Sequence, residues 1–310
     1  MNSEKLLVVV VGPTAVGKTN FSLSLGDKLG AEIVSADSRL LYKGMDIGTA
    51  KPTQHEMCRV KHYMIDVTTP DKSWSLAQYK RSACHYIDDI HNRGKIAMLV
   101  GGTGQYVRSI IEGWNIPPLP KDNSLRHELE AMLDEYGGVY LHDKLRGLDE
   151  ESAKSIDFRN TRRVIRALEV CISTGRKFSE MRSKTKPNYR ILIVGLMMAR
   201  VELYKIIDDR IERMLKNGWV NEVQDLLDRG YSWIMPSMTA LGYPEIGHYI
   251  SGEISLSETR LRIGRNSRRL VRRQSSWFSI NNPDIMWLDI NSTDERTLLS
   301  QVYTGIERLR

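Results

Sequence analysis

At 310 residues with 41% hydrophobic and 27% charged content, the chain is long enough to bury a sizeable core and has the composition of a globular protein. Its cysteines, Cys58, Cys84 and Cys171, are scattered and form no CxxC, which excludes a disulfide framework and a thiolate zinc site, while the net charge of +7 directs attention to polyanionic partners. The six apolar residues 6–11 are too few for a signal peptide or a membrane span, so the reading is a cytosolic protein without a membrane.

Taken in order, the first 115 residues alternate β-branched runs with helical patterns, as a parallel α/β sheet requires. Strands are expected over 6–11, 32–36 and 95–100, and helices over 18–29 and 75–93. Each strand ends in a loop, and the loops carry Gly12, Asp37 and Gly101; in open α/β sheets these strand ends form the ligand crevice. The run Pro117, Pro118, Leu119, Pro120 reads as a boundary. Beyond it the signals are wholly helical, with helices over 124–136 and 160–174 stopped by glycines, which makes 117–187 an inserted helical lobe. A strand over 190–196 returns to the sheet, followed by an amphipathic helix over 203–216, a long helix over 256–278 and a strand over 285–290. The fold class is therefore α/β, a parallel sheet with helices on both faces plus an all-helical insertion, with the core formed by 1–116 and 188–310.

Charge is unevenly placed. Residues 121–157 hold five basic and ten acidic side chains, 159–186 nine basic and two acidic, and 260–273 seven arginines. Clusters of this kind suit phosphate backbones, because neutralising phosphates releases condensed counterions; a solvated helix face is the plainer reading.

Gly12-Pro13-Thr14-Ala15-Val16-Gly17-Lys18-Thr19 matches G-x-x-x-x-G-K-[ST] after a strand and before a helix, the context this phosphate loop needs. Backbone amides close around a phosphate chain, Lys18 neutralises its oxygens and the Thr19 hydroxyl can hold Mg²⁺. A hydrolase of this type would carry an acid at the end of the strand over 95–100, but Gly101-Gly102-Thr103-Gly104 follows instead. An acid does stand at another strand end, Asp37, where it can act as a general base or cap the following turn. Trp277 and Phe278 read as core residues ending a helix rather than stackers of bases.

GPTAVGKT, DSRLLYKGMDIGTAKP from Asp37 to Pro52, GGTGQY from Gly101, RALEV from Arg166 and NSRRLVRRQSSWF from Asn266 occur in order across nearly the whole chain. Together they resemble the bacterial-type tRNA dimethylallyltransferases. The resemblance implies a P-loop kinase-like core, a helical insertion that grips the anticodon arm, dimethylallyl diphosphate as donor, Mg²⁺ as cofactor and a tRNA adenosine amine as acceptor. By position it makes Asp37 the base, Thr103 a neighbour of the reacting amine, Arg210 a partner of the diphosphate, and Lys18 and Thr19 its phosphate and metal ligands. It assigns RNA contacts to Asp37, Ser38, Arg39, Leu40, Thr103, Arg126, Arg162, Arg163, Arg166, Arg268, Arg272, Arg273 and Gln274, and a monomer is expected. Ile206 stands where relatives carry a second arginine, Ser267 and Ser276 where they carry threonine, and no C-terminal zinc finger of the eukaryotic kind follows. A small-molecule phosphotransferase, a prenyltransferase acting on free AMP or ATP, and a non-catalytic nucleic-acid module remain open beside this reading.

Overall fold

The computed structural model describes residues 5–117, 124–181 and 183–309. The chain divides into two compact units, residues 1–111 with 188–310, and residues 112–187. The expected break at Pro118, Leu119 and Pro120 lies outside the described residues.

In the first unit, Leu6–Val11 (β1), Glu32–Ser35 (β2), His62–Tyr63 (β3), Ala97–Val100 (β4), Arg190–Met197 (β5) and Ile285–Asp289 (β6) form a parallel sheet in the order β3-β2-β4-β1-β5-β6. β1 lies between β4 and β5, and alternates its side chains between two cores. Val8 and Val10 join one cluster and Leu7, Val9 and Val11 the other, all of them fully buried. Burial on both faces is why β1 reads as an unbroken apolar run and not as an alternation.

The helices of this unit are Lys18–Leu29 (α1), Gln54–Arg59 (α2), Leu76–Asn92 (α3) and Gly104–Ile111 (α4) before the insertion. The second unit contains Ser124–Leu148 (α5), Glu150–Ser155 (α6), Thr161–Thr174 (α7) and Phe178–Met181 (α8). Arg200–Lys216 (α9), Trp219–Asp228 (α10), Tyr243–Ile250 (α11), Leu256–Trp277 (α12) and Glu295–Arg308 (α13) complete the first. Two capping boxes fix local starts: Thr53 with Glu56 opens α2, and Ser75 with Gln78 opens α3. Phe278 is buried in the core beside α4, and the Trp277 carbonyl accepts a hydrogen bond of 2.7 Å from Arg108.

At the start of β2 the buried Glu32 carboxylate receives Arg93 in a two-nitrogen fork, at 2.8 and 2.6 Å, together with Lys95 and the Tyr63 hydroxyl. Arg93 above all draws the Glu32 carboxyl down to about 2.

The second unit has its own small core, built on Leu129, Leu141, Leu145, Val164 and Leu168. The helix expected to stop after residue 136 kinks at Gly137, where φ is 80° and ψ 172°, and then continues to Leu148. Only a residue without Cβ enters that conformation cheaply. α6 and α8 are not legible in the sequence as separate helices. They are joined by the buried Asp149 carboxylate, which accepts from Ser152 and Ser179 through both their amides and their hydroxyls.

Candidate active site

The turn from β1 into α1 is shaped by glycine. Gly12 has φ 146°, and a Cβ there would lie 2.6 Å from the Leu196 carbonyl oxygen, so β5 leaves room for a bare backbone alone. Ala15 follows with φ 65°, a left-handed conformation for a residue with a side chain. Such conformations cost on the order of 1–3 kcal/mol each and gather at ligand sites. Inside the loop the Lys18 ammonium donates to the carbonyls of Gly12 at 3.1 Å and Pro13 at 2.8 Å. Burial draws Lys18 down to about 8, with Asp37 opposing the shift and Arg210 adding to it.

The second glycine loop, after β4, is tied to the first by one side chain. Gln274 on α12 accepts from the Thr14 amide at 2.7 Å and donates to the Gly102 carbonyl at 3.3 Å. Thr103 accepts the Ser38 amide at 3.1 Å, which fixes the segment that carries Asp37. Asp37 accepts the Arg39 amide through Oδ1 at 2.8 Å, so the turn-capping reading and a crevice-facing carboxylate hold together. The Arg39 guanidinium is spent on the Pro236 carbonyl, 2.8 Å, and the Thr239 hydroxyl, 3.3 Å.

Two cavities meet at this carboxylate. One, of about 930 Å³, is lined by the phosphate loop with Lys18 and Thr19, by Leu40 and Asp46, and by Ile206 and Arg213 of α9. The other, of about 1050 Å³, is lined by Ser38, Thr103, Asn266, Arg269, Arg272, Arg273 and Gln274. Thr14, Ala15, Asp37, Thr49, Arg210 and Met214 belong to both and form the throat between them. Burial lowers Arg210, and Asp37 partly restores it.

Chain segments up to 260 residues apart thus assemble a phosphate loop, a carboxylate and a run of arginines along one crevice, which is a layout for joining two substrates. The profile of the IPP transferase family matches residues 40–281. The chain belongs to the IPP transferase family. A tRNA dimethylallyltransferase of Herpetosiphon aurantiacus is 45% identical over 96% of this chain and 94% of its own length. The solved tRNA isopentenylpyrophosphate transferase of Bacillus halodurans, 40% identical, superposes with a TM-score of 0.74 over 99% of this chain and 97% of its own. A eukaryotic dimethylallyltransferase acting on tRNA shares the fold at 24% identity, with a TM-score of 0.84 over 98% of this chain and 80% of its own.

Within this IPP transferase, the basic residues named from the sequence fall into two groups. Arg272 and Arg273 are exposed on α12 and line the larger cavity, and Arg162 and Arg163 are exposed on α7. Arg268 instead grips both oxygens of Asp208 at 2.8 and 2.6 Å, Arg126 forks onto Glu169, and Arg166 donates to the Pro117 carbonyl at 2.9 Å. Sequence reasoning missed Thr49 of the throat and Glu222 of α10, which holds the loop beside it. Thr49 lies inside the GTAKP stretch; Glu222 carries no local signal, because its partners are backbone amides some 175 residues away. No helix among the described residues is long and apolar enough to cross a membrane.

Proposed function

We propose that this chain transfers a dimethylallyl group from dimethylallyl diphosphate to the exocyclic N6 of the adenosine that follows a tRNA anticodon. The observation that carries the reading is the position of Asp37, a carboxylate in the throat between a phosphate-loop cavity and an arginine-lined one. The donor diphosphate occupies the smaller cavity, and the acceptor base, unstacked from a single-stranded loop, enters from the larger. The allylic C–O bond breaks as the N6–C bond forms. The amine proton passes to Asp37, and the electron pair leaves with the diphosphate. An adenine amine is a weak nucleophile, its lone pair delocalised into the ring, so proton removal contributes ~10²–10⁴-fold. Lys18, Arg210 and the loop amides offset the charge that grows on the leaving group. Thr103 orients the Asp37 segment through the Ser38 amide, and the exposed arginines hold RNA phosphates.

Among the described residues no cluster of three or more His, Cys, Asp or Glu could hold a metal ion. Mg²⁺ keeps most of its waters and binds through substrate phosphates with few protein ligands, and the Thr19 hydroxyl beside Lys18 in the donor cavity suits that role. Thr19 is the residue that would complete its shell, and the ion would neutralise diphosphate oxygens.

Labelled dimethylallyl diphosphate offered with unmodified tRNA, AMP or ATP should label tRNA alone. Label on AMP or ATP would move the function to a free-nucleotide prenyltransferase, and phosphate transfer from ATP would make the protein a kinase.

Lys18 gives the donor step a pH signature. Its folded value of about 8 lies below the ordinary 10.5, so the free protein releases this proton as pH rises through about 8. A bound diphosphate favours the charged ammonium and raises that value. Donor binding near pH 8.5 should therefore take up a fraction of a proton, and affinity should fall as pH climbs above 8. Calorimetry in two buffers of different ionisation enthalpy reads the uptake. It should vanish at pH 6.5 and in Lys18→Ala; uptake that persists in Lys18→Ala belongs to another group.

A further inference from the structure

The loop of residues 46–51 forms one wall of the throat. Residues 46–51 follow the segment that carries Asp37, and Thr49 belongs to both cavities while Asp46, Ile47, Ala50 and Lys51 line the donor side. Three consecutive amides of this wall converge on one side chain. Glu222 accepts Asp46 at 2.7 Å and Ile47 at 2.6 Å on Oε2, and Gly48 at 3.0 Å on Oε1. The Tyr243 hydroxyl, at 2.7 Å, is a fourth donor, on Oε1. Two oxygens of an ionised carboxylate accept about four hydrogen bonds, so Glu222 is saturated by the protein and has no oxygen left for a substrate.

The seat beneath the wall is rigid. A Cβ at Gly48 would lie 2.1 Å from Nε1 of Trp219 and 2.6 Å from the Tyr243 ring, and both aromatics are fully buried. The far end is anchored by Lys51, whose side chain is 4% exposed; it donates to the Tyr42 carbonyl at 2.9 Å and pairs with Asp46 and Asp66. Ala50, between the two anchors, is held at φ 51°. A left-handed alanine persists only where its surroundings over-determine it, and here the anchors on either side do so.

We propose that Glu222 is a positioning residue for the donor: its charge gathers the amides of 46–48 and thereby sets Thr49 and Ala50 as the donor-side wall of the throat. The claim rests on the function proposed above. An amide cannot replace the carboxylate, because a glutamine turns an N–H toward at least one donor and leaves it unanswered in a half-buried site.

Glu222→Gln should raise the KM for dimethylallyl diphosphate about tenfold and lower kcat by a similar factor, with tRNA affinity within about twofold of the parent. Glu222→Asp, which keeps the charge with a shorter reach, should fall between the two. Tyr243→Phe removes one donor and leaves the amides held, so its donor KM should stay within about twofold. A purely structural role predicts another pattern: a lower thermal midpoint and fewer active molecules, hence a lower kcat at unchanged KM. Donor KM unchanged in folded Glu222→Gln overturns the proposal; if that variant does not fold, unchanged KM in Glu222→Asp does so. Calorimetric titration of dimethylallyl diphosphate with Mg²⁺, without tRNA, reads the same loss in the absence of turnover. A parent that binds donor without labelling tRNA overturns the function and leaves this claim standing on the titration, whereas a parent that binds no donor overturns both.

Discussion

Asp37→Asn lowers turnover at least about a hundredfold and leaves tRNA affinity within about twofold of the parent, because a base acts mainly in the transition state. The substitution is a clean one here. The oxygen that accepts the Arg39 amide is retained in asparagine, so the turn that presents residue 37 is kept while the proton acceptor is lost. One side effect follows from the same geometry. Asp37 supports the charge of Lys18 and Arg210, so the variant's Lys18 releases its proton at a lower pH than the parent's value of about 8. Assays near pH 6.5 therefore separate loss of the base from loss of the ammonium. Turnover close to the parent's under single-turnover conditions would remove Asp37 from the role of base.

The double variant Arg272→Gln, Arg273→Gln weakens tRNA binding by about tenfold or more at low salt and flattens its logarithmic salt dependence by about one to two units, since the slope falls by up to about one for every phosphate the protein no longer neutralises. Donor affinity stays unchanged. Both residues are exposed along the larger cavity. Arg268→Gln and Arg126→Gln should behave otherwise, with the salt slope kept and the thermal midpoint lowered, because those guanidiniums already answer the carboxylates of Asp208 and Glu169. Parallel slopes and equal affinities for the parent and the double variant would sink the RNA role of α12.

What is legible in the sequence is what is local. β1, the phosphate loop and α1 follow from a short contiguous stretch whose burial and backbone demands are met by one another. The long α12 is legible because Ile263, Ser267 and Val271, buried at four-residue spacing, alternate with arginines. β3 is not, since two residues, His62 and Tyr63, carry no period. α10 and α13 escape the sequence reading although Trp219, Val223 and Leu226, and Leu298, Val302 and Ile306, carry helical spacing. In the crevice, charge is legible and partnership is not. Nothing in the run of arginines distinguishes Arg268, facing Asp208, from Arg272, facing the cavity, because the deciding carboxylate is 60 residues away. Glu222 is the same case: its chemistry is written in the fold of residues 46–48.

The Gln274 bridge sets a schedule for synthesis. A ribosome that has released the first 250 residues has already delivered both glycine loops, Asp37 and Arg210, yet the side chain that ties Thr14 to Gly102 is still to be made. β6, which covers the outer edge of β5, comes later still. The nascent chain therefore carries the phosphate loop, Asp37 and Arg210 before it carries the clasp that joins the two glycine loops, and a chain ended there leaves the edge of β5 uncovered.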